Sequence, residues 1–381
     1  MKILVITSRL WLGGAEKHLV RLVSSDLVRE HKILVVTFSR GGACEEELKN
    51  LNIDVQSLRK KSRWDLLLPS FRMFKLLRKF KPDLIYSVLP TVQIFSLVLG
   101  RLFSDASIVW GIRSSRLEYQ SATLIPSAVA KVLKLLSPLA DGVVFNSFRG
   151  RDEYHNTGFK MARPIVIPNG VDTAKFSFSK SSRNICRKKY KLTERDCIVG
   201  VVGRAEFNKG PDRVLKVMDL VLAKTSNIFF WIIGRDWDRW LAEAEPQLKR
   251  RLRKYVDLQR VVFHGECTDV HEWLSAFDIF LSLSRNEGMP NSLLEAMSCG
   301  SFCIATDVGD SRVIANDTGH TLDQHVSIEE IASVILRAVS FDKNTISING
   351  MRARRRAVEQ FSQEREVSRF LDYFEETIRE R

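Results

Sequence analysis

Short, unbroken apolar runs alternate with amphipathic stretches along this chain, and the alternation starts again near its middle. KILVIT (2–7), KILVVTF (32–38), IDVQSL (53–58), DLIYSV (83–88), SIVWGI (107–112), GVVFNS (142–147) and PIVIPNG (164–170) form a first series. IVGVVGR (198–204), IFFWIIG (228–234), VVFHG (261–265), IFLSLS (279–284) and FCIATDVG (302–309) form a second. A strand in a parallel sheet is covered by helices on both faces, so it reads as continuously apolar. The intervening segments have helical spacing: AEKHLVRLVSSDLVRE sets Leu19, Leu22, Val23 and Leu27 on one face. The pattern predicts two similar α/β domains, at 1–172 and 197–360. A polar, basic linker at 173–196 separates them, and an amphipathic helix at 361–381 carries Phe370, Tyr373 and Phe374. Ligands of such sheets bind beyond the C-terminal ends of the strands, which points to a cleft between the domains.

With 381 residues, 45% of them hydrophobic and 27% charged, the chain excludes wholesale disorder and a multi-span membrane protein. Ile94–Phe103, the most apolar stretch, is too short to span a bilayer and is broken by Gly100 and Arg101. No signal-peptide pattern opens the sequence. Cys44, Cys186, Cys197, Cys267, Cys299 and Cys303 form no CxxC pair and read as reduced thiols of a cytoplasmic protein. The net charge is +14, and its excess is uneven: residues 1–175 hold 27 Lys and Arg against 15 Asp and Glu. An anionic partner for the first half follows.

Three loops carry chemistry. Gly13-Gly14 lies between the first strand and the first helix, where backbone can approach an anionic ligand; a tight turn is the plainer reading. It is no GxGxxG fingerprint, so a dinucleotide cofactor is not expected. GRAEFNKG (203–210) follows a strand and offers the Arg204 guanidinium and the Lys209 ammonium to phosphate groups; a solvated basic turn is the alternative. EGMPNSLLEAMSCG (287–300) is the most specific: two glutamates, Glu287 and Glu295, with seven residues between them. Carboxylates accept hydrogen bonds from sugar hydroxyls. Asn291 or Ser292 would cap the helix, and the amides of Asn291, Ser292 and Leu293 would cradle a phosphate. Ser292 and Glu295 also read as a capping box, which would explain Glu295 but not Glu287, Gly288 and Pro290.

GGAEK, FNS (145–147), IPNGVD (167–172), GRAEFNKG and EGMPNSLLEAMSCG occur in the order seen in retaining glycosyltransferases of the GT-B fold. Across nearly its whole length the chain resembles family 4, whose members build bacterial surface polysaccharides such as O-antigen, capsule and exopolysaccharide. The resemblance implies two Rossmann-like domains facing across a cleft, with the last helix crossing back to the first. It implies transfer of a hexosyl group from a UDP- or GDP-sugar to a glycan acceptor, often lipid-linked, at the inner face of the cell membrane. Arg204 and Lys209 would neutralise the donor diphosphate, Glu287 would bind the donor sugar at the reacting carbon, and Glu295 would hold the ribose. Gly14 would let the N-terminal loop close on the diphosphate. No cofactor or metal is implied.

One departure stands out. Many relatives carry a histidine after the strand equivalent to SIVWGI, and here that place falls to Arg113. A guanidinium cannot act as base, though it can hydrogen-bond a sugar or phosphate; surface charge is the plainer reading of Arg113 and Arg116. Asp236-Trp237-Asp238 also follows a strand, as a metal-binding DxD would. Arg235 and Arg239 flank it, and a polar loop with Trp237 or Trp240 packed nearby is expected instead. His18, His264 and His271 lack ligand spacing and read as structural or solvent-facing.

Residues 59–81 (RKKSRWDLLLPSFRMFKLLRKFK) hold nine basic residues and one acidic. After Pro69 the apolar and basic positions separate onto two faces, and Trp64 and Phe71 suit an interface. This predicts a helix on an anionic membrane; a sheet-covering helix with a solvated basic face fits the same pattern. Nucleic acid is not an expected partner. Two rival readings remain at this point: a nucleotide-sugar epimerase of the same shape, and a non-catalytic sugar-binding protein at a membrane.

Overall fold

Strands β1 (Lys2–Thr7), β2 (Lys32–Thr37), β3 (Asp54–Ser57), β4 (Leu84–Val88), β5 (Ser107–Ile112), β6 (Gly142–Phe145) and β7 (Pro164–Val166) form one sheet in the order β3-β2-β1-β4-β5-β6-β7. Every pairing is parallel; Lys2 lies opposite Lys32 and Thr7 opposite Thr37. The structure is a computed structural model describing residues 1–11, 13–62, 64–113, 127–341 and 343–381. Arg63 and Arg116 lie outside the described residues.

The apolar runs have the burial that a doubly covered sheet demands. Ile3 and Val5 face one cluster with Leu19, Leu22 and Val23 of the helix Gly14–Ser24. Leu4 and Ile6, of opposite pleat, face another with Met73 and Leu77 of the helix Leu67–Phe80. Each such side chain removed from water stabilises by roughly 1.5–3 kcal/mol.

The helix Gln363–Arg379 belongs to this first unit, which comprises Met1–Gly170 and Gln363–Arg381. Phe370 and Phe374 lie with their ring centroids 5.6 and 5.4 Å from that of Tyr86 on β4. The Tyr373 hydroxyl accepts from the Val143 amide at 3.0 Å and donates to the Arg163 carbonyl at 2.5 Å.

The second unit, Val171–Ser362, holds β8 (Cys197–Val202), β9 (Ile228–Ile233), β10 (Val261–Gly265), β11 (Ile279–Ser282), β12 (Phe302–Thr306) and β13 (His320–Leu322). Their order is β10-β9-β8-β11-β12-β13, again all parallel. β13 has no counterpart among the apolar runs of the sequence. It is three residues long, sits at the sheet edge, and begins with the exposed His320.

Segment 173–196 differs from a spacer. It carries a helix, Lys180–Lys189, fastened to the second sheet through Asp278. That carboxylate accepts from Arg183 at 2.6 Å, from the buried Arg187 at 3.1 Å and from the Ile198 amide at 2.8 Å. Two of the basic residues that suggest a solvated linker, Arg183 and Arg187, are thus held by one aspartate. No disulfide joins the cysteines, and among the described residues no helix is long and apolar enough to cross a membrane.

Candidate active site

In the second unit, two loops beyond the C-terminal ends of neighbouring strands are bound to each other. The first, 203–210, follows β8; the second, 283–290, follows β11. The Arg285 amide donates to the Asn208 carbonyl at 2.7 Å. The Arg285 guanidinium grips Asp212 with two hydrogen bonds of 2.7 and 2.6 Å and stacks 4.4 Å over the Phe207 ring. Gly210 has φ +66°, and a Cβ there would lie 2.3 Å from the Leu283 carbonyl oxygen, so only glycine allows this approach.

This stitching brings Lys209 to Glu287. Lys209 Nζ lies 2.5 Å from Glu287 Oε1, which also accepts from Ser284 Oγ at 2.9 Å. Ser284 is itself held, because its carbonyl accepts from Thr306 Oγ1 at 2.6 Å. The Lys209 stem runs beside Gly203. Below Glu287, Gly309 at φ +55° passes so close that a Cβ would lie 2.2 Å from the Gly288 carbonyl oxygen, and the Asp310 amide donates to that oxygen at 3.1 Å. Arg204, on the same loop as Lys209, pairs with Glu206 at 2.5 Å and is half exposed. Both cations expected to meet phosphate therefore face carboxylates.

Asp236-Trp237-Asp238 serves this loop too. The buried Trp237 donates its indole N–H to the Gly203 carbonyl, and Trp240 donates to that of Ala205, each at 2.8 Å. Asp236 is left-handed at φ +71° and 3.7 Å from Arg235.

The helix Asn291–Ser298 differs from expectation at its start. Its N-cap is Pro290, so neither Asn291 nor Ser292 caps it and no capping box forms. A proline there has no side-chain acceptor, but its extended backbone (φ −75°, ψ 102°) turns the loop into the helix. Of the three amides expected to cradle phosphate, that of Leu293 donates to the Pro290 carbonyl at 3.2 Å and Leu293 itself is buried. Asn291, Ser292 and Glu295 are half-buried, Glu295 on the second turn.

In the first unit, Gly13 immediately precedes the helix Gly14–Ser24 and is fully extended. The Glu16 carboxylate folds back over it: a Cβ on Gly13 would lie 2.3 Å from Glu16 Oε2. Burial raises the Glu16 pKa above the ordinary carboxylate value, with its own backbone amide and Arg9 opposing. An anion at this helix terminus meets that carboxylate first.

Arg113 is buried, with 7% of its side chain exposed, rather than a surface charge. Its Nη2 donates to Asn169 Oδ1 at 2.5 Å and lies 3.9 Å from Glu366 Oε1. Glu366 also lies 2.9 Å from Nδ1 of the fully buried His18. Burial, seconded by the Arg113 charge, drives the His18 pKa down to about 4. For Glu366 burial acts upward, but His18, Arg21 and Arg113 outweigh it and bring the pKa to about 2. The group is a neutral imidazole, a carboxylate and two guanidiniums. Sequence separation hid Asn169 and Glu366 as partners of Arg113.

The helix Leu67–Phe80 starts two residues before Pro69, which occupies its first turn. Pro69, Met73 and Leu77 are buried, so it does cover the sheet. Its outer face nevertheless leaves Leu67 87% exposed, with Leu68 and Phe71 also exposed and Lys75 Nζ 4.5 Å over the Phe71 ring, and Trp64 in the turn before it is 84% exposed.

Residues 12–175 match the family model of Glycosyltransferase Family 4, and residues 196–340 match that of Glycosyl transferases group 1. A lipopolysaccharide core biosynthesis mannosyltransferase of Rhizobium meliloti is 27% identical over 56% of this chain and 61% of its own length. A UDP-Gal:α-D-GlcNAc-diphosphoundecaprenol α-1,3-galactosyltransferase of Escherichia coli is 25% identical over 55% of this chain. The chain spans 53% of that relative. Among solved structures, Anabaena HepE in complex with UDP superposes with a TM-score of 0.84 at 19% identity, covering 99% of this chain and all of its own. Sucrose-phosphate synthase from Thermosynechococcus elongatus gives 0.75 at 17% identity, with both chains fully covered. The likeness to these structures is one of fold, that of the GT-B enzymes.

Proposed function

Because the chain belongs to the family 4 and group 1 glycosyltransferases, we propose that it moves a sugar, with retention of configuration, from a nucleoside-diphosphate donor to a glycan acceptor. The observation that carries this reading is the meeting of Lys209 and Glu287 on two interlocked loops. One group suits a leaving diphosphate and the other suits sugar hydroxyls, and they sit within one hydrogen bond of each other.

In this scheme the second unit holds the donor and the first the acceptor. The bond between the donor's anomeric carbon and the β-phosphate oxygen breaks, its electron pair staying on the phosphate. Lys209 and Arg204 stabilise that charge where it develops. Glu287, released from Lys209, accepts from hydroxyls of the transferring sugar. The acceptor hydroxyl oxygen forms the new bond, and its proton passes to the departing phosphate. Arg113 takes no proton, since a guanidinium stays charged. Glu295 receives the ribose, and the amides of Asn291 and Ser292 lie at a helix N-terminus suited to the diphosphate. Lys209 and Arg204 supply the countercharge that other transferases draw from a cation, so transfer proceeds without a divalent metal.

We place the acceptor on a lipid carrier at the inner face of a bacterial membrane. Support comes from the exposed Trp64, Leu67, Leu68 and Phe71 beside basic residues, and from the diphosphoundecaprenol acceptor in the name of the Escherichia coli relative. Thermal-shift titration with UDP, GDP and ADP tests the donor half. One nucleotide at ~100 times its dissociation constant adds ~2.7 kcal/mol to the unit that binds it. A rise with one nucleotide, lost in Lys209→Ala, is expected; no rise with any nucleotide overturns the reading.

A further inference from the structure

Of the seven tryptophans, Trp11 and Trp64 are the two exposed ones. Trp64 adjoins the apolar turn of the helix Leu67–Phe80, whereas Trp11 lies apart from that helix. It stands on the loop after β1, at the C-terminal edge of the first sheet, and is 56% exposed. An indole so placed leaves much apolar surface in water unless something covers it in use.

The loop is built to hold it there. Leu10 is fully buried, and its carbonyl accepts from the Cys44 amide at 3.1 Å. The loop after β2 comes up against it: Gly42 has φ +119°, and a Cβ would lie 2.2 Å from the Leu10 oxygen and 2.7 Å from Trp11 Cδ1. That second loop is fixed by the buried Glu45 carboxylate, which accepts from the Gly41 amide at 2.6 Å and from Lys49 at 2.5 Å. The Arg9 guanidinium lies 4.3 Å over the Trp11 ring, so one face is taken by a cation and the Cδ1 edge by Gly42. The exposure that remains belongs to the rest of the ring system.

We infer that Trp11 is a stacking platform for a pyranose ring of the acceptor, with Arg9 keeping the indole in place. A pyranose presents an apolar face of C–H bonds, which packs on an aromatic ring while its hydroxyls stay in water. The inference rests on the transferase reading and adds a place for the acceptor sugar within the first unit. Arg9 and the exposed Arg40 give this edge positive charge, which favours a glycan near an anionic group.

The test is fluorine NMR of the full chain labelled with 5-fluorotryptophan, its Trp11 line assigned with Trp11→Phe. Methyl α-glucoside, methyl α-galactoside, methyl α-mannoside and N-acetylglucosamine are added up to their solubility limits, and UDP and anionic phospholipid vesicles each separately. Trp237 and Trp240, bonded to the carbonyls of Gly203 and Ala205, serve as reporters of the donor loop. At least one glycoside is expected to shift the Trp11 line saturably. Saturation transfer to its C–H protons should survive Trp11→Phe and weaken about tenfold in Trp11→Ala, with the UDP response of Trp237 and Trp240 intact. A Trp11 line unmoved by every glycoside, while UDP moves Trp237 and Trp240, overturns the platform and leaves the transferase reading standing. A Trp11 line that moves only with anionic phospholipid vesicles overturns it too, as a lipid contact. Failure of UDP to move Trp237 and Trp240 strikes the transferase reading itself.

Discussion

Lys209 Nζ and Glu287 Oε1 lie 2.5 Å apart although 78 residues separate them in the chain. The two side chains keep 31% and 14% of their surface, so water screens the pair only in part. In this state each group masks the other. Glu287→Gln removes the competing carboxylate from Lys209 while losing the acceptor for sugar hydroxyls. UDP should bind Glu287→Gln several-fold more tightly, and transfer should fall by about 100-fold or more. Calorimetry with UDP beside a transfer assay checks both signs; weaker UDP binding in Glu287→Gln would sink the masking argument.

Gly309 sets the height of the Glu287 loop. Its φ of +55° and its closeness to the Gly288 carbonyl leave no room for a methyl group. Gly309→Ala should strain the backbone by about 1–3 kcal/mol and lift Glu287 out of place. Transfer is expected to fall more than tenfold with UDP affinity changed little, read by kcat against the UDP dissociation constant.

The cluster of His18, Glu366, Arg113 and Arg21 predicts a pH dependence of stability. The unfolded chain protonates the imidazole near 6.5, the folded chain near 4. Between those values unfolding takes up a proton, so stability falls as pH falls from 6.5 toward 4, by on the order of 3 kcal/mol. Thermal melts of wild type and His18→Gln across that window should show a flatter profile in the variant. Equal slopes would remove His18 as the titrating group.

Trp64, Leu67 and Phe71 should matter for membrane binding as much as the lysines. Replacing all three by serine is expected to weaken sedimentation with anionic vesicles at least tenfold. Lys60, Lys61 and Lys75 replaced by glutamine should instead lower the salt sensitivity of binding. Wild-type binding in both variants would leave the helix Leu67–Phe80 with its sheet-covering role alone.

Transfer should persist in EDTA, because Lys209 and Arg204 carry the countercharge. A strict requirement for Mg²⁺ or Mn²⁺ would direct attention to Asp236 and Asp238.

What could be read in advance follows the range of the forces involved. The long buried strands were legible, because burial on two faces writes itself as an apolar run. β13, short and at an edge, left no such mark. The residue types at 204, 209, 287 and 295 were legible as candidates; their pairing was not. Nothing in GRAEFNKG says that Lys209 meets Glu287, since Gly210 and Arg285 create that meeting through space. Ser292 and Glu295 satisfied a capping-box pattern, yet Pro290 took the cap position, its fixed φ suited to the turn. Arg113 read as a group for a sugar or phosphate, or else as surface charge; its burial against Asn169 and Glu366 was not legible, because they come from distant parts of the chain.

The membership of Gln363–Arg379 in the first unit has a consequence for biosynthesis. A ribosome delivers β1 to β7 first, then the whole of the second unit, and only then the helix that covers Tyr86, Val109 and Val144. Until that moment the helices Gly14–Ser24 and Ala43–Asn50 already pack on this face, but Tyr86, Val109 and Val144 lack the cover that Phe370 and Phe374 give. The second unit, by contrast, has all its strands in one uninterrupted stretch and can fold as it emerges. Completion of the first unit thus waits on a helix made after the second, and a chain stalled before Phe370 would carry a finished second unit beside a first sheet still uncovered at Tyr86, Val109 and Val144.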